Sequence, residues 1–310
     1  MITRRQLLQL GASLLALPAG TVLGKEEKPS TASPLPLIER PIPSSGENIP
    51  VIGMGTSRTF DIGSDAESLV RLTEVIQAFF AGKGTVIDSS PMYGNAESRI
   101  GDVLRQMKGH PKVFAATKVW TSGREQGIAE MQESARRMNV ETFDLIAVHN
   151  LVDWKTQLGT LKEWKKEGKV RYIGITTSHG RDHDEFLEVM RKEPLDFVQF
   201  SYNIANLTAE KEILPLARDR GIATMINRPY QRGSLFRASK GKALPDLAKE
   251  IDCNSWGQFY LKFILGHPAV TTVIPATSKP HHMVDNMQAN FGRVPDKQQR
   301  AEMLRIFESL

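Results

Sequence analysis

From Val51 onward the chain alternates two hydrophobic periods. Short runs of β-branched and apolar residues, most of them ending at a polar position, are separated by longer stretches whose apolar residues recur three and four apart. The short runs are VIGMG from Val51, TVIDS from Thr85, VFAATK from Val113, DLIAVH from Asp144, RYIGIT from Arg171, FVQFS from Phe197, IATMIN from Ile222 and TTVIPA from Thr271. Between them lie helical segments such as ESLVRLTEVIQAFF, ESRIGDVLRQM and EKEILPLARDR. Every crossover is long enough for a helix, so the pattern predicts parallel βα units. Eight such units in roughly 250 residues match an α/β fold of the closed (β/α)8 TIM-barrel type. A doubly wound open sheet is the rival. It calls for a G-x-G-x-x-G turn after its first strand, and GMGTSRTF lacks that spacing. Ahead of the first strand, ERPIPSSGENIPVIG predicts an N-terminal β-hairpin closing the barrel bottom, and PDKQQRAEMLRIFESL predicts an added C-terminal helix.

Composition narrows the class. A chain of 310 residues with 40% hydrophobic content can bury a large core. Its net charge of +5 is modest, and the basic stretch KEWKKEGKVR is interspersed with acids as a solvated helix end would be, which argues against nucleic-acid binding. Cys253 is the only cysteine, so neither an intrachain disulfide nor a Cys-based zinc cluster can form. At the N-terminus, Arg4 and Arg5 precede an apolar run too short for a comfortable membrane span, and small residues follow from Ala19 to Gly24. This stretch looks like a twin-arginine export signal. The expected organisation is a signal over residues 1–24, a flexible Pro- and Ser-rich tether over 25–37 and the barrel over 38–310. A partnership with the twin-arginine export machinery, a periplasmic or otherwise exported location, and no permanent membrane span after signal removal follow from that reading.

In such a barrel the reactive centre lies where the strands end. Those ends carry Asp88, Lys118, His149, Thr176 with Thr177, Gln199, Asn227 and Thr277, while the strand interiors are nearly all apolar. Tyr93 follows Asp88 in a Gly-containing turn. A free phenol titrates near pH 10, an adjacent ammonium stabilises its phenolate, and a carboxylate holds that ammonium in place. Asp88, Lys118 and Tyr93 are therefore expected to make the phenol a proton donor usable near neutral pH. His149, as a neutral imidazole, would donate to the same oxygen and polarise a carbonyl. The set suits protonation of a carbonyl oxygen while a hydride reaches its carbon.

The stretches VIDSSPMYG, ATKVW, LIAVHN, GKVRYIGIT, FVQFSYN and VIPATSKPHHMVDN, in this order from about Arg40 to Asn290, resemble the aldo-keto reductases. That resemblance implies a catalytic tetrad of Asp88, Tyr93, Lys118 and His149. It also implies an extended NADP, or NAD, across the barrel mouth, and an aldehyde, ketone or alcohol substrate. By the same resemblance Gln199 would bond the carboxamide with Thr176 in place of the usual serine, and Gly233, Ser234 and Leu235 would lie in the diphosphate loop. Ser278, Lys279, Asp285 and Asn286 would surround the adenosine end. Three positions depart from the pattern: Thr177 stands where Asn is common, Asn227 stands where an aromatic stacks on the nicotinamide, and His282 stands where an arginine often meets a 2′-phosphate. These altered contacts leave an alternative, a nicotinamide-nucleotide-binding sensor or accessory subunit on the same fold with little turnover.

Other residues invite weaker readings. His179 and His183 have helical metal-binding spacing but no third ligand nearby, so a helix start with Asp182 near its cap is expected. His281 and His282 would point apart. Cys253 is expected to pack, and Trp120 and Trp154 to line the mouth or pack beneath its loops.

Overall fold

The computed structural model describes residues 35–178 and 180–310. The expected signal, most of the tether and His179 lie outside these residues. A hairpin comes first, β1 (Glu39–Pro41) against β2 (Asn48–Pro50), antiparallel, with Glu39 opposite Pro50. Its turn needs Gly46, which sits at a φ of 76° and donates its N–H to Ile42 O.

Eight strands form the main sheet: β3 (Met54–Gly55), β4 (Val86–Asp88), β5 (Phe114–Val119), β6 (Phe143–His149), β7 (Val170–Thr176), β8 (Phe197–Ser201), β9 (Ala223–Asn227) and β10 (Thr272–Val273). They pair parallel in chain order, and bridges from Ile52 to Val273 and from Gly55 to Ala276 join the last strand to the first. The sheet is thus a closed barrel rather than a doubly wound sheet. Its seam is shorter than the runs VIGMG and TTVIPA suggest. Pro275 has no N–H to give the ladder, and a Cβ on Gly55 would lie 2.8 Å from Ile274 O, so the two strands approach too closely there for a side chain.

The helices that cover this barrel are α1 (Ala66–Ala81), α2 (Ala96–Gln106), α3 (Arg124–Met138), α4 (Trp154–Lys166), α5 (His183–Lys192) and α6 (Ile213–Asp219). After β9 come the single turns α7 (Leu235–Ala238) and α8 (Leu247–Glu250), then α9 (Trp256–Leu265), α10 (Pro280–Gln288) and the C-terminal α11 (Lys297–Glu308). Helix α1 shows why they form. Asp65 accepts from Ser68 N at 2.9 Å to cap it, and Leu72, Val75, Ile76 and Phe79, spaced three and four apart, are buried against the barrel. In α11 the Asp296–Gln299 capping box opens the helix, while Arg300 reaches back to Phe263 O at 3.0 Å. No helix among the described residues is long and apolar enough to cross a membrane.

Two apolar layers result. The larger lies between strands and helices. The smaller fills the barrel with Val86, Phe114, Leu145, Tyr172, Phe197, Met225 and Ile274, and Ile42 and Ile49 of the hairpin belong to it. The hairpin therefore plugs the N-terminal end of the barrel. Polar chemistry is left to the opposite, open end.

Candidate active site

At that open end a cleft of about 1190 Å³ is lined by Asp88, Tyr93, His149, Thr176, Gln199, Asn227 and loop residues around the rim. Asp88 is the last residue of β4, His149 of β6 and Thr176 of β7, and the parallel register sets His149 beside Thr176 and Thr176 beside Gln199. Strand ends thus deliver the side chains, and the loops need only close over them.

Lys118 is fully buried on β5 beneath the cleft floor. Its ammonium donates to Asp88 Oδ1 at 2.8 Å, to Asp88 Oδ2 at 2.7 Å and to Ser89 O at 2.7 Å, so all three protons are used. It lies 5.3 Å from the centre of the Tyr93 ring. Burial works against the ammonium, yet the Asp88 charge and Tyr93 hold its pKa above the ordinary value. The same burial acts on the phenol in the opposite sense to the sequence expectation. Desolvation raises the Tyr93 pKa above 10.0, and the pull of Lys118, itself opposed by Asp88, does not overcome it. Tyr93 therefore keeps its proton through neutral pH and is an acid in its protonated form, not a stabilised phenolate.

His149 stands edge-on to Tyr93, ring centres 5.8 Å apart. Burial, with Lys118 adding to it, pushes its pKa down to about 3, so the imidazole is neutral. Ser90 Oγ lies 3.0 Å from His149 Nδ1 and already accepts from Met92 N. The neutral ring carries a single proton, so whichever nitrogen holds it donates and the other accepts; with Ser90 donating to Nδ1, Nε2 is the donor. The sequence reading passed over Ser90, although its place two residues past a strand-end acid was a usable signal.

The cofactor candidates divide. Thr176 Oγ1 donates to Gln199 Oε1 at 2.9 Å and Gln199 Nε2 to Asp88 Oδ1 at 3.0 Å, so both are oriented towards the tetrad. Thr177 is buried, and its hydroxyl is turned to Arg181 O at 2.9 Å. Asn227 spends its amide on Thr177 O at 3.1 Å and accepts from Ser201 Oγ at 2.7 Å. Gly233, His282, Asp285 and Asn286 line the cleft. Asp285 accepts from Ser255 and Gln258, and Asn286 accepts from Tyr230 OH at 2.6 Å. Ser234, Ser278 and Lys279 flank the cleft without lining it, and Leu235 is buried at the start of α7. Thr277 is at the rim.

The cleft suits a nicotinamide dinucleotide on two counts. Its volume exceeds the 300–1,000 Å³ or so typical of small-ligand pockets. Asn150, in its wall, has a buried Oδ1 without a hydrogen-bond partner, a group that a bound amide or hydroxyl would satisfy. Trp120 is exposed beside the mouth, 6.3 Å from His149 between ring centres, whereas Trp154 opens α4 and bonds Glu185 away from the cleft. Asp182 precedes α5 but makes no side-chain cap, and His183 faces Glu212 at 3.6 Å. Cys253 is buried, its thiol pushed up to about 12 by burial. Among the described residues no cluster of three or more His, Cys, Asp or Glu could hold a metal.

The fold and site have relatives. A Bacillus subtilis aldo-keto reductase, YhdN, is 29% identical over 59% of this chain and 59% of its own length. The Escherichia coli methylglyoxal reductase YeaE is 24% identical over 78% of this chain and 87% of its own. This chain thus spans less than two thirds of the Bacillus relative. Among solved structures, a Klebsiella pneumoniae aldo-keto reductase in complex with NADPH superposes with a TM-score of 0.72 at 20% identity, covering 87% of this chain and 96% of that one. The Gluconobacter oxydans glycerol dehydrogenase does so with a TM-score of 0.72 over 87% and 95%. A sequence model of the Aldo/keto reductase family matches residues 51–303, and the chain belongs to that family.

Proposed function

We propose that the protein is an NAD(P)H-dependent oxidoreductase that reduces an aldehyde or ketone, or oxidises the corresponding alcohol. The observation that carries this reading is the assembled tetrad, with a buried Lys118 clamped by Asp88 beneath a protonated Tyr93 and a neutral His149 beside it. When bound, the nicotinamide supplies the hydride. In the tautomer protonated at Nε2, His149 donates to the substrate oxygen and polarises it, and Tyr93 delivers the proton that completes reduction. Gln199 and Thr176 would hold the carboxamide, Gly233 and its neighbours the diphosphate, and Ser278, Lys279, His282 and Asn286 the adenosine end. NADPH-bound and NADP-bound relatives of the same fold support NADP as the cofactor. The test is consumption of NADPH and of NADH with a panel of aldehydes and ketones. Tyr93→Phe should lower kcat by roughly a hundredfold or more while cofactor affinity stays within a few fold, the mark of an interaction made mainly in the transition state. Turnover near wild type in that variant would remove Tyr93 from the mechanism.

For the same chain we propose export through the twin-arginine route, supported by Arg4 and Arg5 ahead of an apolar, uncharged run. Replacing both arginines by lysine should leave the protein in the cytoplasm. Processed protein outside the cytoplasm in that variant would overturn the proposal.

A further inference from the structure

The rim on either side of the tetrad and beyond it is cationic. Asp88, Tyr93, Lys118 and His149 come from β4, β5 and β6 or from the turn after β4, whereas Arg58 follows β3, Arg181 follows β7, and Arg228 and Arg232 follow β9. All four arginines line the cleft. None forms an ion pair or a side-chain hydrogen bond among the described residues, so their guanidinium donors are available to a ligand in the cleft. Arg228, only partly exposed, has its pKa lowered by burial and further by Arg232 and Arg58, which places three uncompensated cations within each other's field. Their backbones are constrained as well. Arg58, Arg228 and Arg232 all hold left-handed φ angles, of 64°, 53° and 58°, a conformation that costs a non-glycine residue about 1 kcal/mol or more.

Among the described residues no acid of the cleft forms an ion pair with these arginines. Asp88 is taken by Lys118, and Asp285 is held by Ser255 and Gln258. Asp61 accepts from Asn95 N at 2.9 Å and from Asn95 Nδ2 at 3.3 Å. A cofactor diphosphate held by the segment after β9 would bring two negative charges, and Arg228 and Arg232 on that segment would be the residues to meet them. Arg58 lies on a different segment, after β3, and its position is specific. The segment that carries it is fastened to the Tyr93 turn at both ends, through Thr56 Oγ1 to Asp88 O at 2.9 Å and through Asp61 to Asn95. A group held by Arg58 is thereby held against the loop that bears the proton donor.

Resting on the reductase reading above, we propose that the substrate is an anionic carbonyl compound, an oxo acid or a phosphorylated aldehyde, whose carboxylate or phosphate is recognised by Arg58. A guanidinium matches either oxyanion with paired N–H donors, and Arg58, itself exposed on the cleft rim, is free to present them.

The experiment compares size-matched pairs, succinic semialdehyde against butanal and glyceraldehyde 3-phosphate against glyceraldehyde, in wild type, Arg58→Gln and Arg58→Lys. The quantity read is the ratio of kcat/KM for the charged member to that for the neutral one. In wild type at least one pair should give a ratio above about 10. Arg58→Gln should lower it tenfold to a hundredfold, chiefly through KM of the charged member, with partial recovery in Arg58→Lys, the range expected for a charge-assisted hydrogen bond. A ratio near one in wild type, or equal losses on both members of each pair, overturns the proposal while leaving the reductase reading intact. A weakened NADPH affinity in Arg58→Gln, with the ratio unchanged, assigns the arginine to the cofactor and also overturns it. If neither member of any pair turns over, the reductase reading is judged on its own carbonyl panel. Calorimetric titration of succinate and of inorganic phosphate into the NADP-loaded protein then decides: tenfold or weaker binding of one of them in Arg58→Gln supports anion recognition, and equal or absent binding ends it.

Discussion

Tyr93 and His149 are tuned by burial more than by partners, and that sets the pH behaviour of the site. Desolvation raises the phenol of Tyr93 and pushes His149 down to about 3. Reduction needs the phenol protonated, so its rate should stay flat through neutral pH and fall only as the raised phenol pKa is approached. Alcohol oxidation needs the phenolate and should climb with pH into the alkaline range. His149 adds a stability term of definite sign. In the unfolded chain it takes up a proton near pH 6.5, and in the fold only near 3, so stability is complete above 6.5 and declines as pH falls through that window. His149→Asn should flatten the decline, read by urea unfolding at several pH values between 7 and 4. His267, also lowered, keeps some slope in place. An undiminished slope in the variant would show that His149 protonates freely in the fold. The tetrad was legible in the sequence because strand ends announce themselves by a change from apolar to polar. The direction of the Tyr93 shift was not, because it depends on how much water the loops exclude. Nor were Ser90 or the arginines of the rim, whose meaning lies in contacts between loops far apart in the chain.

At the scale of elements, the hairpin of β1 and β2 acts as a stopper. Ile42 and Ile49 are buried at 0% and 2% exposure among the residues that fill the barrel, with Phe114, Tyr172 and Phe197 stacked or tilted on one another at ring distances of 5.7–5.9 Å. Ile49→Ala should cost about 2–4 kcal/mol, the usual range for a large-to-small change in a packed core, measured as a shift in denaturant midpoint at constant slope. The site lies at the other end of the barrel, so kcat/KM of the folded fraction should change little. A loss below about 1 kcal/mol would mean that the hairpin merely rests on the barrel. The turn SSGEN and the alternation around it made this hairpin readable. Its role as a plug was readable only as far as an expected closing of the bottom, since the partners Tyr172 and Phe197 are supplied by strands more than a hundred residues away. The seam strands β3 and β10 were overestimated for a related reason: apolar runs mark burial, whereas ladder hydrogen bonds also need an N–H, which Pro275 lacks.

For the whole molecule, the cleft is assembled from loops that follow most of the strands, from Thr56 after the first of the barrel to Asn286 beyond the last. The unfolded chain offers no such site, so the cofactor binds the closed barrel alone and must stabilise it. At a hundred times its Kd a nucleotide contributes about 2.7 kcal/mol, which for a barrel of this size moves Tm by roughly 5 °C. The two halves of the cofactor are not expected to share this equally. Asn227 offers the nicotinamide no ring, and its amide is already engaged by Thr177 and Ser201, while Tyr230 is drawn to Asn286 and lies 4.9 Å from Phe236 between ring centres. The adenosine end, by contrast, has Asp285, Asn286 and His282 in the cleft wall with Lys279 beside them. At equal concentration, 2′-phospho-AMP should therefore raise Tm nearly as far as NADP, and Asn227→Tyr should widen the gap in favour of the whole cofactor by about 1 kcal/mol, the scale of one aromatic stack. A wild-type barrel that responds strongly to NADP and barely to the fragment would place the stack elsewhere, with Tyr230 the first residue to replace. The outcome bears on the export proposed above, because a barrel that crossed a membrane folded could carry its nucleotide only if the anchored half released slowly.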